Sequence, residues 1–429
     1  MRPAPRQRKP RRNRMLFNQQ RADMVMAKAG VAAIIATSPE NVMYATDYNC
    51  VSHWINKGFQ VYSIYTPAHE PKASLVAPSL ELEAIVDGTV WVEDVYIFSP
   101  FKRGPAQGNE MDRVGKAGKA LLERAHTVRR ALDGLVAAIE ARGLQSSRIA
   151  VDELGMSPFI FWELKQRFPN ADIIAGNALW WEIRMVKTPD EIERLRLASR
   201  ITEEAINHAY RLVKPGVKES DVIHAYHRRL ADLKGKPTFM VLGSGSRTSY
   251  PHALSSDKTI AAGDIVRYDI GCTYEHYHSD TARAVVLGKP TAQQQALWDA
   301  LSQGVEDAIA LIRPGADVRD IYRAAMKPGK DLGLEDFDRF HCGHGIGISV
   351  YDPPVVTLAD PSESAFLMPR VEEGLAPGMS LNIEVGYYMQ GVQGFLCEDT
   401  LLVTDTGCDR LTTNSKALAY DDFMAGIAG

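Results

Sequence analysis

Disulfide chemistry is almost absent from this 429-residue sequence. Cys50, Cys272, Cys342, Cys397 and Cys408 are five widely spaced thiols with no CxxC pair. An odd, scattered set excludes a disulfide framework and points to a reducing, cytoplasmic compartment. Long apolar runs are missing as well. None approaches the ~18 residues that a membrane helix needs, so no membrane partner is expected. Basic charge is scarce over the body of the chain and is concentrated in residues 1–14, which hold seven Lys and Arg with three prolines. That segment lacks the apolar core of a secretory leader and reads as a disordered extension, with patterned sequence beginning at Met15. Without it the net charge moves from −4 to −11, which argues against a nucleic-acid surface. What remains, 45% apolar and 24% charged, is an ordinary globular composition, and the length predicts two domains of roughly 200 residues.

From Met15 the pattern alternates. A helix over Arg21–Lys28 precedes a buried strand at Gly30–Ala36, and further apolar runs lie near Gln60–Thr66 and Ala73–Ala77. A long amphipathic helix is expected over Arg113–Gly143, then a strand at Arg148–Asp152. This order indicates an α/β layer, closing near Ala178-Leu-Trp-Trp and forming a domain over 15–185. A second domain, 186–429, starts at Thr188-Pro-Asp-Glu191, where an N-cap, a proline at the first helical position and a glutamate at the third make a capping box. Thr291 and Gln294 repeat the signal. Ala209–Asp221 aligns with Ala308–Asp320 at an offset of 99, each with a Pro-Gly turn between two helices. The second domain is therefore read as an α+β duplication whose two copies face each other across a cleft.

Chemistry concentrates between Asp264 and Glu398. Asp269 lies within a strand pattern (Ile265–Gly271), and Asp280 opens the next (Ser279–Leu287) after a turn at Thr273–Tyr277. His344 sits between glycines in His341-Cys-Gly-His-Gly-Ile-Gly347. Glu384 and Glu398 are each embedded in apolar, β-rich sequence, where an unpaired carboxylate would cost several kcal/mol. Four carboxylates and an imidazole are a hard ligand set suited to Mn²⁺, Fe²⁺, Co²⁺ or Zn²⁺. Two divalent cations would balance the four negative charges, which could not all persist unpaired at close range.

This motif set resembles the prolidase, aminopeptidase P, methionine aminopeptidase and creatinase superfamily with its pita-bread fold. The resemblance runs from about residue 15 to the end and includes the Arg184–Ile192 segment between the domains. It implies a small creatinase-like N-terminal domain and a C-terminal pita-bread domain. It also implies that Asp280 and Glu398 bridge two metals, that Asp269 completes one site, and that His344 and Glu384 complete the other. Manganese is the first expectation. The implied reaction is hydrolysis of an amide C–N bond of the Xaa-Pro type by a hydroxide bridging the metals. Glu384 would carry the proton, and His252, in Ser249-Tyr-Pro-His-Ala, would hydrogen-bond substrate near the scissile bond. A homodimer acting on a small peptide is also implied.

Departures from the family pattern bear on the substrate. Tyr351 stands where peptidase members carry a second histidine, seven residues after His344. Phe340 holds the place of another, with His341 next to it, so Tyr351 and His341 are the candidate substrate contacts. Leu396 replaces an arginine two residues before the last glutamate, and Val385 replaces a proline. Ligands kept while their surroundings change leave a second reading open: a small-molecule amide or amidine hydrolase, or a metal-dependent lyase, on the same fold. A protein-binding non-enzyme fits poorly, because all five candidate ligands are present.

Overall fold

The computed structural model describes residues 15–427 apart from 57, 100, 102, 105, 106, 108, 335, 336 and 361–367. The basic segment over 1–14, expected to be a disordered extension, lies outside the described residues. The chain forms two compact units, Met1–Ile183 and Arg184–Gly429.

The first unit is built on a seven-stranded sheet of β1 (Ala33–Ala36), β2 (Tyr62–Tyr65), β3 (Ala73–Pro78), β4 (Asp94–Phe98), β5 (His126–Thr127), β6 (Arg148–Val151) and β7 (Asp172–Ala175). Their spatial order is β5-β4-β3-β2-β1-β6-β7, with β1 to β3 antiparallel and the outer pairs parallel. Ile35, Tyr62, Val76 and Ile149 from the sheet pack with Leu132, Leu135 and Ile139 of the helix Ala131–Ala141. One expectation is corrected here. The segment 113–143 is two helices, Arg113–Arg124 and Ala131–Ala141, not one. Between them His126 and Thr127 pair with Tyr96 and Ile97 as an edge strand, and the Val128 amide donates to the Ile97 carbonyl at 2.9 Å. Tertiary pairing overrode a helical periodicity that the β-branched Thr127 and Val128 already weakened.

The second unit carries a nine-stranded sheet of β8 (Lys236–Ser244), β9 (Ile265–Tyr274), β10 (Tyr277–His278), β11 (Thr281–Val286), β12 (Gly343–Gly345), β13 (Asp352–Val355), β14 (Ser380–Met389), β15 (Gln393–Val403) and β16 (Cys408–Arg410). The main path runs β10-β9-β11-β15-β14-β12-β13, with β8 on β9 and β16 on β15. Each copy of the repeat supplies a helical hairpin: Pro189–Tyr210 with Glu219–Asp232, and Ala292–Ala310 with Val318–Asp331. Both capping boxes are present at Thr188 and Thr291.

Strand alternation decides which side the chemistry occupies. Leu381, Ile383 and Val385 of β14 join Phe395, Cys397 and Leu401 of β15 in the core beneath the second hairpin. Val266, Tyr268 and Ile270 of β9 do the same beneath the first. Successive side chains on a strand point to opposite faces, so Asp269, Glu384 and Glu398 are all turned away from the helices. The apolar periodicity that builds the core thereby gathers the acids on the other face.

Candidate metal centre

Register brings the acids together. Ala282 of β11 pairs with both Asp269 and Glu398, and Glu384 lies directly opposite Glu398 across β14 and β15. Asp280 immediately precedes β11. His344 on β12 faces Asn382 of β14. The close approach of these strands requires the flanking glycines: a Cβ on Gly343 would lie 2.2 Å from the Asn382 carbonyl oxygen, and one on Gly345 would lie 2.3 Å from that of Pro353.

Asp280, His344 and Glu398 are buried, and each offers a ligand atom within 4.8 Å of the others. His344 Nε2 stands 3.8 Å from Asp280 Oδ2. On its other side Nδ1 is 2.9 Å from the Gly345 carbonyl. A carbonyl only accepts, so Nδ1 carries the proton and the Nε2 lone pair is turned towards the acids, the arrangement that suits a metal-ligating imidazole. Oδ1 of Asp280 is buried with no hydrogen-bond partner among the described residues, a costly state unless a cation stands near it. Asp269 and Glu384 line the same cavity as Asp280 and Glu398. It measures about 550 Å³, and its other walls include His252, Tyr351, Phe239, Met240, Val241 and Leu254.

Electrostatics separates the four carboxylates. Burial, followed by repulsion from neighbouring acids, raises Asp280 and Glu398 well above the usual carboxylate range. Burial likewise pushes Asp269 up to about 7. Glu384 is shifted the other way. Burial would raise it, but Arg339, His341 and His344 outweigh that and hold it low. Arg339 donates from Nη2 to Glu384 Oε2 at 2.7 Å, and His341 Nδ1 lies 3.4 Å from Oε1. Without a cation this cluster retains protons; a divalent ion would take their place. The donor set, the aimed imidazole and the orphaned aspartate oxygen all fit a divalent metal.

The remaining sequence candidates fall as follows. His252 is exposed on the cavity wall. Tyr351 also lines the cavity and stacks on His344, with ring centroids 3.8 Å apart and planes 18° from parallel. Burial and then the surrounding carboxylates push its hydroxyl pKa up, so it stays a neutral donor. His341 is buried beside Glu384 rather than on the cavity wall. Burial lowers it to about 4, which leaves it neutral. Phe340 is exposed, while Leu396 and Val385 are buried. Arg339 was not singled out in the sequence; its one signal is that it lies five residues before the Gly-flanked histidine.

Comparison with known proteins gives this geometry a family. Residues 193–405 match the model of metallopeptidase family M24, and residues 19–186 match the creatinase/prolidase N-terminal domain. The chain belongs to the prolidase, aminopeptidase P and creatinase superfamily. It is 31% identical to an Xaa-Pro dipeptidase from Pyrococcus furiosus over 240 residues, which are 55% of this chain and 66% of that relative, just under two thirds of its length. An uncharacterized peptidase from Staphylococcus saprophyticus is 26% identical over 389 residues, 89% of this chain and 94% of the relative. Among solved structures, an Xaa-Pro dipeptidase from Bacillus anthracis superposes with a TM-score of 0.74 at 20% identity, covering 94% of this chain and 99% of that one. That likeness establishes the pita-bread fold.

Proposed function

We propose that this chain is a two-metal hydrolase that cleaves the amide C–N bond of an Xaa-Pro peptide. The observation that carries the reading is the grouping of Asp280, His344 and Glu398 within ligand reach of one another, with Asp280 and Glu398 lining one cavity with Asp269, Glu384 and His252. Asp269, Asp280, His344, Glu384 and Glu398 would hold two divalent ions, with manganese the leading candidate. When bound, such ions acidify water and polarise the scissile carbonyl.

The chain's own groups supply the rest. Glu384, kept ionised by Arg339, accepts a proton at a carboxylate oxygen and returns it to the departing nitrogen. His252 hydrogen-bonds the substrate carbonyl as its oxygen gains charge. Tyr351 donates from a hydroxyl that stays protonated across the working range. Phe239, Met240, Val241 and Leu254 form an apolar wall for the substrate's ring or side chain.

The test is metal content by elemental analysis together with turnover of an Xaa-Pro dipeptide after Mn²⁺ loading. About two metals per chain with dipeptide cleavage supports the proposal. Two metals without cleavage favours the second reading, a hydrolase or lyase acting on a small molecule. The stacking of Tyr351 on His344, at a position where peptidases of the superfamily are expected to carry histidine, supports that alternative. A protein that takes up no metal is not a two-metal enzyme. We further propose a cytoplasmic homodimer, to be checked by light scattering. Four of the five cysteines are buried as free thiols, and no helix among the described residues is long and apolar enough to cross a membrane.

A further inference from the structure

Arg267 is fully buried in the second unit, two residues before Asp269 on β9, so the two side chains leave the same face of the strand. Its guanidinium donates from Nε to the Thr248 carbonyl at 3.2 Å, and from Nη2 to those of Tyr250 and Pro251 at 2.8 and 2.9 Å. These carbonyls belong to the residues immediately preceding His252. The guanidinium carbon also lies 5.2 Å from the centre of the Tyr388 ring on β14, a cation–π contact. A buried cation is costly unless its donors are satisfied. Arg267 places Nε and Nη2 on the backbone of a single loop, while Nη1 is buried with no hydrogen-bond partner among the described residues.

That loop, between β8 and β9, is gripped from a second side. Glu219 is fully buried and accepts from the backbone and hydroxyl of Ser244 at 2.7 and 2.8 Å. It also accepts from the backbone and hydroxyl of Ser256 at 3.0 and 2.8 Å. Glu219 thus closes the base of the loop, while Arg267 holds its inner stretch. Between the two grips stands His252, whose own side chain is exposed.

We propose that Arg267 is a positioning residue: by binding the carbonyls of Thr248, Tyr250 and Pro251, it fixes the backbone carrying His252 against the strand carrying Asp269. The inference rests on the proposed function in so far as His252 serves the substrate. Its physical basis is preorganisation, since a misplacement of about 1 Å in a catalytic group can cost on the order of 10²-fold in rate. A planar fork reaches three carbonyls at once; a lysine ammonium in the same place does not.

The experiment compares Arg267→Met, Arg267→Lys, His252→Ala and the double variant Arg267→Met/His252→Ala. Two readouts are taken: dipeptide turnover by the Mn²⁺-loaded enzyme, and amide hydrogen exchange over residues 248–253. In Arg267→Met, kcat should fall by on the order of 10²-fold, and exchange over 248–253 should accelerate while β14 and β15 keep their protection. Adding Arg267→Met to His252→Ala should change kcat by no more than about twofold, because the arginine acts through the histidine. Multiplying losses, or unchanged exchange over 248–253, would overturn the inference. Should the methionine variant fail to fold, Arg267→Lys carries the same comparison with a smaller expected loss. If the wild-type enzyme cleaves no dipeptide, the Xaa-Pro peptide reading fails by itself, and the exchange result alone decides the role of Arg267.

Discussion

Glu384 and Glu398 face each other across two strands yet carry opposite electrostatic shifts, and one neighbour, Arg339, accounts for much of the difference. Arg339→Met should therefore raise the Glu384 pKa and move the acidic limb of the kcat/KM–pH profile upward, a shift that a pH-rate series would detect. Tyr351→Phe keeps the ring on His344 but removes the donor. It should lower kcat/KM by about tenfold, the value of one hydrogen bond at ~1.4 kcal/mol, with metal content unchanged; equal kinetics would remove the hydroxyl from the reaction. The five acid and imidazole positions were legible because a charge inside a β-rich apolar run, or a histidine between glycines, is out of place unless something binds it. Arg339, Arg267 and the grip of Glu219 were not legible. A basic or acidic residue near a loop is ordinary in sequence, and what marks these three is burial and partners many residues away.

At the scale of elements, the Pro-Gly repeat and the capping boxes were readable because capping is local. Thr188 accepts from the Glu191 amide, and Glu191 accepts from the Thr188 amide at 2.7 Å. Thr188→Ala should cost about 1 kcal/mol, measurable as a lower urea midpoint with an unchanged slope. The break between Arg124 and Ala131 was hidden for the opposite reason. Its cause is pairing with β4, an element some thirty residues earlier, and apolar spacing cannot report a partner. Strand alternation sets the faces of Asp269, Glu384 and Glu398, but register, which sets Glu384 against Glu398, came only with the folded sheet.

For the whole molecule, the raised carboxylates link metal binding to pH. A carboxylate whose pKa is raised by folding takes up protons that a cation must displace. With Asp269 near 7, and Asp280 and Glu398 also raised, that competition is strong below about pH 7 and fades above it. The rise in Tm on adding Mn²⁺ to chelator-treated protein should therefore be larger at pH 8 than at pH 5.5. Taking the difference between loaded and stripped protein at each pH cancels histidines remote from the site, such as His53, which burial lowers to about 4. An equal or larger rise at pH 5.5 would contradict this picture of the cluster.

The placement of the proposed ligands along the two copies has a consequence for taking the enzyme apart. Asp269 and Asp280 come from the first copy, whereas His344, Glu384 and Glu398 come from the second. A chain severed between β11 and Ala292 would leave two aspartates on one fragment and an imidazole with two glutamates on the other. Neither fragment alone would own the Asp280–His344–Glu398 trio, so the ion would serve as the rivet of a split protein, and reassembly of the two pieces would become a reporter of metal supply.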